Sequence, residues 1–213
     1  GDGVGIVSLP NGALGLYLLD VSGHGVGAAL LSFTLNHLFS ATAGGVLAVP
    51  DAGGRERRVE PSEVAGRLNQ RFPMDRTRQY FTLVYGVLDR ATAEFRYVTA
   101  GHPAPVYLPE TGPPRPVGGG GLPVGMLDGT RYEDESLPLA PGDRLFFYTD
   151  GVIEALNERE EDFGQARLLS EIDALRGRDL REGLDCLADA VRDWCGGQLR
   201  DDVTLLGVER RRP

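Results

Sequence analysis

The chain has 213 residues, with 31 acidic and 22 basic side chains and a formal net charge of −9. Its hydrophobic fraction of 41% and charged fraction of 25% are globular values, which excludes a disordered chain and suits a single domain over 1–213. The acidic balance excludes a nucleic-acid binder and a polybasic membrane binder, since both need a basic footprint.

Other classes fall on single features. No apolar run is long enough for a transmembrane helix, and no basic-then-apolar leader opens the chain. Cys186 and Cys195 lie in one expected helix, roughly 13 Å apart at its rise per residue, too far for a disulfide. That usage suits a reducing, cytoplasmic compartment. Every basic residue is Arg, which removes Walker-type phosphate loops and Schiff-base chemistry. The opening Gly1-Asp2 lacks Met, so the chain reads as a fragment of something longer.

In chain order, 4–9 and 13–20 form a hairpin around Pro10-Asn11-Gly12. A helix follows Gly23-His24-Gly25 to about residue 41. Its two apolar rows, Leu31/Leu35/Leu38 and Val26/Leu30/Phe33, predict burial on more than one side. Residues 44–60 read as a loop, and Ser62 as the cap of a helix that ends before Pro73. Residues 79–88 and 94–99 form a second hairpin, and 104–108 a further strand. The segment 110–121, rich in Pro and Gly, reads as a long mobile loop. Residues 143–149 are a strongly apolar strand. Helices are expected at about 152–158, 165–175 and 179–195, with Leu184, Leu187, Val191 and Trp194 on one face of the last. A strand at 203–209 and a frayed 210–213 close the chain. Short turns between successive strands imply antiparallel sheet, and helices in two blocks imply an α+β fold.

Carboxylates mark the strand ends. Asp20 ends GLYLLD, Asp150 ends RLFFYTD, and Asp201-Asp202 precede VTLLGV. A lone Asp after a strand is ordinarily a turn former. Three beside the most apolar strands would repel one another if they met at one sheet edge. A divalent cation would relieve that, and hard oxygen ligands select Mg²⁺ or Mn²⁺ over zinc.

The motifs then form a series. Asp20-Val21-Ser22-Gly23-His24-Gly25 resembles the DxSGHG signature of bacterial metal-dependent protein serine/threonine phosphatases, the type 2C superfamily in its SpoIIE/RsbU-like branch. Tyr80-Phe81-Thr82-Leu83 resembles that family's F-x-T-L strand, with Tyr for the first Phe. Ala100-Gly101-His102-Pro103 resembles AGHP, and Gly121-Leu122-Pro123-Val124-Gly125 resembles GLPLG. Pro141-Gly142-Asp143 with Tyr148-Thr149-Asp150-Gly151 resembles PGD…YTDG, and Asp201-Asp202-Val203-Thr204 resembles DDxT. Each string is weak alone; six in order over the chain are specific.

The resemblance implies a four-layer αββα sandwich of two mainly antiparallel sheets flanked by helices, with two divalent cations, Mn²⁺ or Mg²⁺, between the sheets. Asp20 would bridge the metals, the Val21 carbonyl would add a ligand, and Asp150 and Asp201 would complete the catalytic set. Asp2, Ser22 and Asp202 would support it. A metal-bridging water would attack phosphorus and displace the serine or threonine oxygen. The implied substrate is a phosphorylated STAS-type anti-sigma-factor antagonist. The implied partners are an upstream sensor domain or a homodimer mate, acting through the helices at about 24–41 and 62–72.

One position departs from the pattern: Gly5 stands where the family's G-G-D-x-x-D opening has its second Asp. This leaves a non-catalytic regulatory or binding module as the alternative. A structural Ca²⁺ site ranks last, because D-x-[DN]-x-[DN]-G is absent. His24 is read as a helix-start residue bonding nearby backbone, His102 as a turn residue, and His37 as core or surface. Cys195 with Arg200 is one residue short of a cysteine-phosphatase loop and reads as a packed thiol. Glu158–Asp162 reads as a solvated face.

Overall fold

The computed structural model describes residues 1–40, 46–50 and 53–212. The first half of the chain contains β1 (Asp2–Ser8), β2 (Leu14–Val21), α1 (Val26–Ser40), β3 (Ala48–Pro50), β4 (Glu56–Arg58), α2 (Pro61–Arg71), α3 (Met74–Thr77), β5 (Phe81–Asp89) and β6 (Glu94–Ala100). The second half contains β7 (Val106–Leu108), β8 (Arg115–Pro116), β9 (Glu135–Pro138), β10 (Arg144–Tyr148), α4 (Asp150–Ile153), α5 (Gly164–Ala174), α6 (Leu180–Trp194) and β11 (Leu205–Glu209). The chain divides into two compact units: Gly1–His102 with Gly118–Pro138, and Pro103–Val117 with Leu139–Pro213. The architecture is α+β with antiparallel sheets, as expected.

The first unit is built on a five-stranded sheet in the order β1-β2-β5-β6-β9. The chain places β2 and β5 centrally because LGLYLLDV and FTLVYGVLD are apolar on both faces. β1 sits at the edge and alternates, leaving Val4 and Ile6 exposed. Gly5 pairs with Tyr17, and a Cβ at Gly5 would stand 2.6 Å from the Tyr17 ring. The ring lies over this position, stacks on Phe39 at 4.3 Å and donates from its hydroxyl to Asn36. An Asp there would have to displace it.

α1 buries Ala28, Leu31, Leu35 and Phe39 in this unit's core, with Leu38 packed beside them. Truncating Leu35, fully buried, to Ala should cost about 2–5 kcal/mol. The second row is not buried: Val26, Leu30 and Phe33 are 77%, 61% and 72% exposed. Sequence periodicity cannot distinguish an apolar row on the core from one facing outward, so the expectation of double burial fails. α2 corrects another reading. Ser62 does not cap it; the Asp134 carboxylate, from far along the chain, accepts from the Ser62 amide at 2.6 Å and from its hydroxyl at 3.0 Å. The expected loop at 44–60 contains the β3-β4 ribbon, while residues 41–45 and 51–52 lie outside the described residues.

The second unit is a four-stranded antiparallel sheet in the order β11-β10-β7-β8. β10, RLFFY, is buried throughout, as its composition requires. α5 and α6 supply Leu168, Ile172, Leu187 and Val191 to this unit's core, and Leu184 and Trp194 pack partly against it. The segment expected to be a mobile loop is fastened within each unit. Val117 N donates to Pro105 O, and Gly119 N donates to Thr99 Oγ1. The tail expected to fray is also held: Gly142 N donates to Arg210 O, Arg210 N donates to Asp143 O, and Arg212 pairs with Glu110. Cys186 and Cys195 are both thiols.

Candidate metal centre

Asp20 is the penultimate residue of β2 and is fixed from both sides. Its register partners are Asp2 on β1 and Thr82 on β5. Residues directly opposite in a sheet share a face, so Asp2, Asp20 and Thr82 form one row. Thr82 Oγ1 in turn lies 2.8 Å from Nδ1 of the buried His102. His102 is thus tied to the row that carries Asp20, not merely to its own turn. Its AGHP string was the only signal for this, and a string does not reveal a cross-strand partner.

Asp20 Oδ1 and the Val21 carbonyl converge on one point. The Gly1 nitrogen donates to both, at 3.3 and 3.2 Å. The two oxygens therefore stand close together, and hard oxygens of this kind are the donors that Mg²⁺ and Mn²⁺ use. Ser22 serves the backbone instead. Its amide donates to Tyr80 O at 2.9 Å and its hydroxyl accepts from Tyr80 N at 3.0 Å, locking the turn after β2 onto the start of β5.

In the second unit Asp150 begins the one-turn α4, and its carboxylate accepts from Gly151 N at 3.0 Å. Asp201 lies in the approach to β11 and accepts from Asp202 N at 2.8 Å. The buried Thr149 joins the two segments. Its amide donates to Thr204 O, and its hydroxyl donates to Asp202 O and accepts from Thr204 N. Gly151 is required here because a Cβ would run into the Asp202 carbonyl and stand 3.6 Å from Asp201 Cβ. Desolvation and then the charges of Asp150, Asp162 and Asp201 push the Glu154 carboxyl up.

Asp150 and Asp201 therefore share one end of the second unit's sheet, while Asp20 belongs to the first unit's sheet. The expectation of a single sheet edge divides into two. Among the described residues no group of three or more His, Cys, Asp or Glu side chains is placed to hold a metal ion. The candidate ligands in each unit, Asp20 with the Val21 carbonyl and Asp150 with Asp201, are all oxygens, which suit a hard cation better than zinc.

The remaining candidates are placed elsewhere. His24 is exposed before α1, and its ring makes no hydrogen bond among the described residues, contrary to the expectation that it bonds nearby backbone. His37 is exposed on α1. Cys195 is buried, and burial pushes its thiol up, the opposite of a nucleophilic cysteine. No helix among the described residues is long and apolar enough to cross a membrane.

The fold is that of the type 2C protein serine/threonine phosphatases, a class that is generally metal-dependent. The chain belongs to the family described as Stage II sporulation protein E (SpoIIE), which it matches over residues 10–211. It is 29% identical over 155 residues to the phosphoserine phosphatase RsbP of Bacillus subtilis, covering 72% of this chain and 36% of that protein. It is similar to the RsbU and RsbW domains of Rv1364c from Mycobacterium tuberculosis, with a TM-score of 0.74 and 30% identity over 100% of this chain and 55% of that one. The SiaA-PP2C domain of Pseudomonas aeruginosa shares the fold, with a TM-score of 0.79 and 20% identity over 98% and 80% of the two chains. The chain spans about a third of the length of the curated relatives it matches.

Proposed function

We propose that this domain hydrolyses phosphoserine or phosphothreonine on a STAS-type anti-sigma-factor antagonist in the cytoplasm, as the output of a longer partner-switching protein. Asp20, the Val21 carbonyl, Asp150 and Asp201 would hold two divalent cations, Mn²⁺ or Mg²⁺, with Asp2, Ser22 and Asp202 in support. Bound there, the cations would supply Lewis-acid activation of water and neutralise charge at phosphorus. The observation that carries this reading is Asp20 near the end of β2, flanked in register by Asp2 and Thr82 and followed by the Val21 carbonyl. The β1-Asp20-β5 ladder holds that pair rigid, and the Thr149 bonds hold Asp150 and Asp201 at a common sheet end.

Phosphate release from a phosphoserine peptide should require Mn²⁺ or Mg²⁺, and should be lost with EDTA and in Asp150→Asn. Manganese binding with no release by the intact domain would sink the reading. It would favour a non-catalytic module of the same fold, which draws on Gly5 and the Tyr17 ring that covers it. The exposed row Val26, Leu30 and Phe33 on α1 supports control through this helix, by an upstream sensor domain or a homodimer mate. Alanine at all three should leave p-nitrophenyl phosphate turnover intact and abolish that control in the longer protein.

A further inference from the structure

The net charge of −9 opposes the approach of any phosphorylated, acidic protein, so a local surface of the opposite sign is needed to admit one. The first unit carries such a surface. Between Glu63 and Asp89 the only acidic residue is Asp75, while Arg67, Arg71, Arg76 and Arg78 are basic. Arg67 pairs with Glu63. Arg71, Arg76 and Arg78 are exposed and make no ion pair among the described residues. Arg58, Arg96, Arg144, Arg176, Arg192 and Arg212 all have acidic partners. Arg78 also holds a left-handed backbone, φ 61°, at the end of α3, where Gly or Asn would sit with less strain.

Apolar surface lies beside these charges. The chain has only two methionines, Met74 and Met126, and they are 40% and 38% exposed. Met74 N donates to Gly125 O at 2.8 Å, which sets α3 against the 124–127 segment. Buried Asn69 fastens that segment to α2 by accepting from Gly125 N at 2.7 Å and donating to Leu127 O at 3.0 Å. Leu127 is itself 57% exposed. Flexible methionine side chains suit a surface that must fit another protein's apolar side chain. The same stretch leads into the candidate centre. Two residues after Arg78, Tyr80 is bonded to Ser22, next to Val21 and Asp20.

We propose that Arg71, Arg76 and Arg78, with Met74, Met126 and Leu127, dock the phosphorylated protein substrate by its chain flanking the phospho-residue, and that this flank is acidic with an apolar side chain. The proposal rests on the phosphatase reading. Charge complementarity selects the occupant, because unpaired guanidinium groups around adaptable apolar side chains match an acidic, phosphate-bearing protein segment.

The test uses two synthetic phosphoserine peptides of equal length, one with Asp, Glu and Leu around the phosphoserine and one with neutral flanks. The intact domain is compared with a triple variant, Arg71→Gln, Arg76→Gln and Arg78→Asn; Asn tolerates the left-handed position, and thermal unfolding by circular dichroism checks that the variant is folded. The native domain should prefer the acidic peptide by about tenfold in kcat/KM, through KM and less so at high salt. The variant should lose that preference while p-nitrophenyl phosphate turnover stays unchanged. Fluorescence anisotropy of the labelled acidic peptide reads docking without turnover, and the variant should bind about tenfold more weakly. Equal binding or equal preference in the two proteins would overturn the docking surface. Peptide binding that responds to the variant in a domain that never releases phosphate would overturn the phosphatase reading and leave docking standing.

Discussion

The two sets of candidate ligands are held in different ways. Asp20 sits inside a strand with ladders on both sides, and its side chain is 24% exposed. Asp150 and Asp201 stand beyond strand ends, in a one-turn helix and a turn, and Asp201 is exposed. The first is positioned by sheet register, which cannot shift by one residue without turning Asp20 to the other face. The second is positioned by a few hydrogen bonds from Thr149 and by the absence of a side chain at Gly151. The first unit holds its carboxylate by strand register, and the second holds its pair by backbone bonds at a strand end.

The largest expected effect follows from the rigid side. Asp20→Asn should lower Mn²⁺-dependent phosphate release by about 10²-fold or more, since no neighbour can replace a carboxylate fixed by register. Asp202→Asn should cost far less, because Asp202 contributes its backbone carbonyl to Thr149. Equal losses in steady-state kinetics would break the contrast.

Next is the backbone-held side. Gly151→Ala should destabilise the domain by about 1–3 kcal/mol through the clash with the Asp202 carbonyl. It should also weaken Mn²⁺ binding, measured by calorimetry. Unchanged binding would mean that the Asp150–Asp201 approach is not what positions the ligands. Gly5→Asp, which restores the family residue, should destabilise by about 1–3 kcal/mol by displacing Tyr17 and should not tighten Mn²⁺ binding. Tighter binding would show that Gly5 had weakened the centre.

The smallest effect concerns a carboxylate far from either set. Hydrogen bonds from Thr92 and Ala91 and the Arg58 guanidinium hold Asp89 below the usual carboxylate range. A lowered pKa in the folded state stabilises above the unfolded value, and that contribution is lost as pH falls through the folded one. Asp89→Asn should therefore narrow the stability gap between neutral and acid pH in urea titrations. The same acid sensitivity in both proteins would refute this role for Asp89.

The sequence by itself determined the elements whose cause is local. Alternation and apolar runs placed the β1-β2 and β5-β6 hairpins and β10, and the Asp residues after apolar strands stood out because a charge ends a buried run. It also supplied the six ordered strings that identify the family. Tertiary structure decided everything that depends on distant partners. Which apolar row of α1 faces the core depends on the sheet it packs against, so Leu31 and Leu35 are buried while Leu30 and Phe33 are not. The cap of α2 comes from Asp134, and no local pattern announces a carboxylate so distant in sequence. β9 is four residues, ESLP, and becomes a strand only because β6 offers it an unpaired edge. Asp20 and the Asp150–Asp201 pair look alike in sequence, each a charge beside an apolar strand. Pairing across strands assigned them to different sheets, because hydrogen-bond ladders join segments by register and not by nearness along the chain.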